Sequence, residues 1–118
     1  MDFKEHKAIY LQIAERICDS ILNGEFPEDE KLPSVREYAA QVEVNVHTVA
    51  RSFEWLQMND VVVTRRGLGN FVNVGAKKAV ERIRRKEFFT EQLPDLFRTI
   101  HTLGISIDEV MTEYNKSN

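Results

Sequence analysis

Four arginines carry the most legible chemistry in this chain: Arg36, Arg51, Arg65 and Arg66. A guanidinium presents a planar fork of donors that matches phosphate oxygens or the acceptor edge of guanine. Arg51 closes the run NVHTVAR, which also holds Asn45, His47 and Thr48. His47 can donate or accept toward a base or phosphate. Thr48 can offer its hydroxyl to phosphate or its methyl to thymine. Asn45 can read a base edge or cap the helix that starts there. Arg65 and Arg66 precede Gly67-Leu68-Gly69, whose glycines permit close backbone approach. Arg36 sits two residues after Ser34. For each arginine the plainer alternative is a solvated side chain or a surface ion pair worth little.

Catalytic chemistry has little to work with. His6, His47 and His101 are far apart and none falls in a metal-binding spacing. No nucleophile elbow is present, and Gly67-x-Gly69 is too short to cradle a phosphate. Cys18 is the lone cysteine, so no intrachain disulfide is available, and its helical neighbours Ile17 and Ile21 point to a packed thiol. No enzyme activity, metal or cofactor is expected.

The elements that must position the arginines follow from periodicity. Ile9, Ile13, Ile17 and Ile21, with Tyr10, Ala14 and Cys18, predict a first helix over Ala8 to Leu22, stopped by Asn23-Gly24. Ser34 with Glu37 three residues on is a capping box, opening a short second helix to Val42 with Val35, Tyr38, Ala39 and Val42 inward. A third helix runs from Asn45 to about Met58, its inner stripe being Val49, Phe53 and Leu56. Asn59 or Asp60 can take the left-handed cap that ends it. Val61 to Arg66 and Asn70 to Val74 then read as two strands of a hairpin.

From Ala76 the pattern is helical again, and Pro94 predicts a bend near Thr90 rather than a clean break. Gly104 ends that segment, and Ser106 with Glu109 is a second capping box opening a last helix. Phe88, Phe89, Leu93, Leu96, Phe97 and Ile100 are too many large apolar groups for a lone tail to expose. They fold back on the domain or meet a second chain.

Charge supports a local site rather than a basic protein. The net charge is −3. Residues 1–60 hold 6 Lys and Arg against 12 Asp and Glu, whereas residues 61–87 hold 8 against 2. The basic island thus begins at the hairpin tip. Within it Lys77, Lys78, Arg82, Arg84, Arg85 and Lys86 span more than one helix face, so at most some could meet DNA. No apolar run approaches the roughly 20 residues of a membrane span, and MDFKEHKAIY has no signal-peptide pattern, so a cytoplasmic protein without a membrane role is expected.

IYLQIAERI, KLPSVRE, VNVHTVARSFEWL and TRRGLGNFV together resemble the GntR family of bacterial transcription regulators, in particular its short YtrA-like subfamily. The resemblance covers about Ile9 to Val72. It implies a winged helix-turn-helix over residues 1–74, with DNA contacts at Ser34, Arg36, His47, Thr48, Arg51, Arg66, Gly67 and Gly69. It also implies a short helical dimerisation tail over residues 75–118, too short to hold the large effector domain of longer members. Three positions depart from the family. Glu43 stands where glycine is usual in the turn, Val46 where proline is usual, and Asp60 where a glycine follows the recognition helix. Val46 and His47 therefore alter the base-reading surface.

The reading that results is a homodimeric, sequence-specific regulator of transcription, a repressor acting on double-stranded DNA at a palindromic operator. Two others stand beside it. One is a winged-helix protein-interaction module without a DNA role. The other adds a small-molecule effector held among the tail helices, for which apolar lining is present but converging polar anchors are not.

Overall fold

The computed structural model describes residues 7–117, so His6 and the start of the N-terminal run lie outside the described residues. The elements are α1 (Ile9–Leu22), α2 (Val35–Val42), α3 (Val46–Met58), β1 (Val62–Arg65), β2 (Gly69–Val72), α4 (Ala76–Glu87), a π-helical turn (Phe88–Gln92), α5 (Leu93–Leu103) and α6 (Ile107–Lys116). The chain is mainly helical with one small antiparallel hairpin, the winged helix-turn-helix class that the sequence predicts.

Periodicity explains the core. On α1, Ile13, Ala14, Ile17, Cys18 and Ile21 are buried, whereas Ile9 projects outward. They pack against α3, where Val49, Phe53 and Leu56 are buried as expected. Tyr38 and Ala39 bring α2 into the same core, and the Tyr38 ring meets Phe26 and Phe53 edge-on. Val35 and Val42, expected inward, are only half-buried. Ser52 is the one polar side chain wholly buried among the described residues. Its hydroxyl donates to the Tyr10 carbonyl at 2.6 Å and approaches the Thr48 carbonyl at 3.1 Å, so α1 is bonded to α3 inside an apolar stripe.

The turns obey the left-handed requirement even where the residue is not glycine. Glu43 has φ +57° and Asp60 has φ +63°. Of the two cap candidates after α3, Asp60 takes the left-handed conformation and Asn59 does not. A side chain held there costs about 1–2 kcal/mol, less for Asp, whose short polar group tolerates it. Glu43→Gly is therefore expected to raise unfolding free energy by about 1 kcal/mol, after glycine's own entropic cost, and Asp60→Gly by less. Urea titration of the two variants measures the difference.

The hairpin pairs Val62 with Val72 and Arg65 with Gly69. The strands are shorter than predicted, because Arg66 enters the turn. The Leu68 N–H donates to the Arg65 carbonyl at 2.9 Å, and Gly67 at the third turn position has φ +77°, which a side chain would strain. The loop after α1 lies along β2, with Asp29 and Leu32 N–H groups donating to the Val72 and Asn70 carbonyls. The Val72 N–H returns a bond to the Glu30 carbonyl.

Glu28, in the same loop, caps α4 from 47 residues away: its carboxylate accepts from the Gly75 N–H at 2.9 Å and the Lys77 N–H at 3.0 Å. The Gly75 bond, then the Lys77 bond, hold this carboxyl below the ordinary 4.5. A depressed folded-state pKa contributes stability that is complete above the unfolded value and is lost as pH falls through the folded one. Glu28→Gln is thus expected to flatten the loss of stability below pH 4.5, read by thermal melts across an acid pH series.

The chain divides into two compact units, one ending at Glu81 and the other beginning at Arg82. This division lies inside α4, beyond the 74/75 boundary read from the sequence, because Ala76, Ala79 and Val80 are buried. In the second unit the helical path continues through Pro94, which stands in the first turn of α5. A π-helical turn over Phe88–Gln92 lies where the bend near Thr90 is expected. The Leu93 N–H donates to the Phe88 carbonyl five residues back, and a widened turn relieves the clash a proline imposes on the carbonyl four residues before it. Gly104 ends α5 in the left-handed conformation, and the Ser106 hydroxyl caps α6 by accepting from the Glu109 N–H.

Candidate nucleic-acid interface

The N-terminal turn of α3 is set by Asn45, whose side-chain oxygen accepts from the His47 N–H at 2.7 Å. Of its two sequence readings, capping is the one this chain forms. That leaves the His47 side chain exposed and Thr48 half-buried, at the end of the helix where N–H groups are least satisfied. Arg51, one turn on, is exposed, and its guanidinium carbon lies 4.0 Å from the Tyr10 ring centroid.

The start of α2 is built by the capping box read from the sequence. The Glu37 N–H donates to the Ser34 hydroxyl at 3.1 Å, and the Ser34 N–H donates to the Glu37 carboxylate at 2.9 Å. The backbone bond from Ser34, then the hydroxyl, hold the Glu37 carboxyl below its ordinary value. The Ser34 hydroxyl is therefore engaged within the box in the free chain, its oxygen accepting from the Glu37 N–H and its proton facing the Glu37 carboxylate. Arg36 is exposed on the first turn, with no ion pair or hydrogen bond among the described residues.

The hairpin separates the two arginines that the sequence groups together. Arg66 is exposed in the turn and has no partner among the described residues. Arg65 instead turns inward along the hairpin, bonded to the Asp29 carboxylate at 2.5 Å and lying 4.2 Å over the Phe71 ring. Its charge is already neutralised, which makes it a brace of the hairpin in the free chain. Gly67 is exposed and open, whereas a Cβ on Gly69 would stand 3.1 Å from the Lys31 side chain.

Sequence reasoning overlooked several of these partners. Lys31 pairs across from Phe71 and lays its exposed side chain beside Gly69, adding a cation to the hairpin. Gln57, near the end of α3, donates to Thr64 at 2.6 Å and Asn70 at 3.2 Å, and Thr64 donates to Asn70 at 2.7 Å. This side-chain network ties α3 to both strands. The only signal for Ser52 was a hydroxyl inside the apolar spacing of Val49, Phe53 and Leu56. Tyr10 gave none, since an aromatic on an apolar face reads as core.

The pairing residues expected in the tail divide by exposure. Phe88, Phe89, Leu96 and Phe97 are exposed, at 41%, 54%, 43% and 42%. Leu93 is half-buried, and Ile100 is buried within the single chain at 6%, so it is not an exposed pairing group. Leu103, Ile107, Met111 and Tyr114 are exposed apolar groups of the same unit. Among the described residues no three metal-ligating side chains converge, and no helix is long and apolar enough to cross a membrane.

Comparison with known proteins gives this surface a context. Residues 9–72 match the sequence family described as bacterial regulatory proteins, gntR family. The chain is similar to the uncharacterized HTH-type transcriptional regulator YhcF of Bacillus subtilis, with 36% identity over 92% of this chain and 88% of that protein. It is also similar to the HTH-type transcriptional repressor YtrA of Bacillus subtilis, at 28% identity over 93% and 84%. A crystal structure described as a transcriptional regulator of GntR family from Bacteroides thetaiotaomicron superposes with TM-score 0.81 at 48% identity, covering 92% of this chain and 95% of that one.

Proposed function

Because the chain belongs to the gntR family of bacterial regulatory proteins, DNA-binding helix-turn-helix regulators of transcription, we propose that it is a homodimeric repressor reading a palindromic operator. In this reading residues 1–74 bind DNA and residues 75–118 pair two copies. The N-terminal turn of α3 enters the major groove with His47, Thr48 and Arg51, and Asn45 shapes that turn by capping it. Arg36 and the Ser34 hydroxyl meet the sugar-phosphate backbone. Arg66 and Lys31 approach the flanking minor groove, where Gly67 and Gly69 allow close contact, and Arg65 holds the hairpin in place from behind. Repression follows from occupancy, since a bound dimer excludes other proteins from its stretch of promoter. The protein acts in the cytoplasm, without catalysis or a cofactor.

The observation that carries this reading is the placement of unpaired cations. Arg36 and Arg66 stand exposed and without partners among the described residues, on the two elements that flank the exposed start of α3. The nearby Arg65, which is not needed as a contact, is paired internally. The test is fluorescence anisotropy with duplex from the gene's own promoter region against random duplex. Specific binding should be tighter by about three orders of magnitude or more and should weaken steeply with salt. Equal affinity for the two duplexes would remove the regulator assignment from this surface.

A further inference from the structure

Two consecutive residues of α3 both meet Tyr10, through different parts of it. Ser52, fully buried, donates its hydroxyl proton to the Tyr10 carbonyl at 2.6 Å across 42 residues of sequence. Arg51 lays its guanidinium over the Tyr10 ring, with Cζ 4.0 Å from the centroid. The α1–α3 register that the buried bond fixes is thus the register that places an aromatic ring beneath the arginine. No carboxylate pairs with Arg51 among the described residues, so the ring is its one specific partner there.

We propose that Tyr10 is a positioning residue for Arg51, presenting a preset guanidinium to DNA; the inference rests on the proposed role of Arg51 as a DNA contact. The donors of a guanidinium lie in its plane, so a ring against one face leaves the hydrogen-bonding edges free. A carboxylate partner would do the opposite, occupying the edge that phosphate or guanine needs. The long side chain otherwise samples many rotamers that binding must freeze. Tyr10 removes part of that cost before the DNA arrives, and the attraction between cation and ring face survives removal of the phenol oxygen.

Substitution separates this role from packing. Tyr10→Leu keeps the carbonyl that Ser52 uses and keeps an apolar side chain, but removes the ring. Operator affinity, measured by anisotropy, should fall about five- to tenfold, the scale of one side chain left to be ordered on binding. Tyr10→Phe should restore wild-type affinity. In an Arg51→Ala background, Tyr10→Leu should cost nothing further, a result that general damage to the domain would not give. If Arg51→Ala weakens binding while Tyr10→Leu does not, or if Tyr10→Leu costs the same in both backgrounds, the positioning role is overturned and the contact role stands. If Arg51→Ala binds like wild type, both are overturned.

Discussion

An Arg36→Ala, Arg51→Ala double variant should lose operator binding by about 2–6 kcal/mol while remaining folded. The range follows from about 1–3 kcal/mol for a well-formed contact of Arg51 to a base edge and a similar amount for the charged hydrogen bond of Arg36 to phosphate, with the two summed as separate sites. Even its lower end is a change of about thirtyfold, easily read by anisotropy or band shift. Both side chains are exposed, and neither belongs to the buried set of α1, α2 and α3, so a thermal melt should move little. Arg65→Ala provides the contrast within the same surface. It removes the Asp29 ion pair and the cover over Phe71, so its effect should reach DNA through a less ordered hairpin. If the double variant binds its operator undiminished, these arginines are not the reading surface.

Phe89→Ser with Phe97→Ser should convert a dimer into a monomer of 13.7 kDa at micromolar concentration. A buried phenylalanine removes roughly 150–250 Å² from water, and at about 25 cal/mol per Å² a half-exposed ring has about 2 kcal/mol to gain from a partner. A twofold interface uses each position twice, so two substitutions change four buried rings. The combined loss, about 8 kcal/mol, is as large as the whole free energy of a micromolar association. Light scattering reads the mass directly. Because both rings are exposed in the single chain, helix content by circular dichroism should be unchanged. A wild-type chain that scatters as a monomer at that concentration would end the pairing role. The two predictions are linked, since two half-sites read by a rigid pair bind far more tightly than one.

Features with short sequence reach were legible before the structure, and features with long reach were not. The Ser34–Glu37 box, the Asn45 cap and the left-handed end at Gly104 are decided by residues a few positions apart and form as read, while at Ser106 the hydroxyl cap forms without the reciprocal Glu109 bond. The exposed placement of Arg36, His47 and Arg66 also follows from local pattern. The Arg65 ion pair was not legible, because its partner Asp29 is 36 residues away and nothing local says which of two adjacent arginines will turn back. Glu28 stands beside Asp29 and Glu30 in an acidic run that names no partner, yet it closes the start of α4 from 47 residues away. The same reach hid Ser52 and Tyr10. Ile100 was grouped with exposed neighbours because helical spacing identifies a face without saying what already covers it.

The π turn over Phe88–Gln92 has a geometric consequence for the tail. A hydrogen bond spanning five residues instead of four admits one extra residue into the turn, which sets everything after it back by about 100° relative to an unbroken α-helix. Phe88 and Leu96 are eight residues apart, as are Phe89 and Phe97. Eight positions overshoot two ordinary turns of about 3.6 residues, but with one residue inserted they come close to two full revolutions. The widened turn therefore works as a phase corrector: it returns the second pair of apolar groups to the azimuth of the first, which an unbroken α-helix of the same sequence would not do.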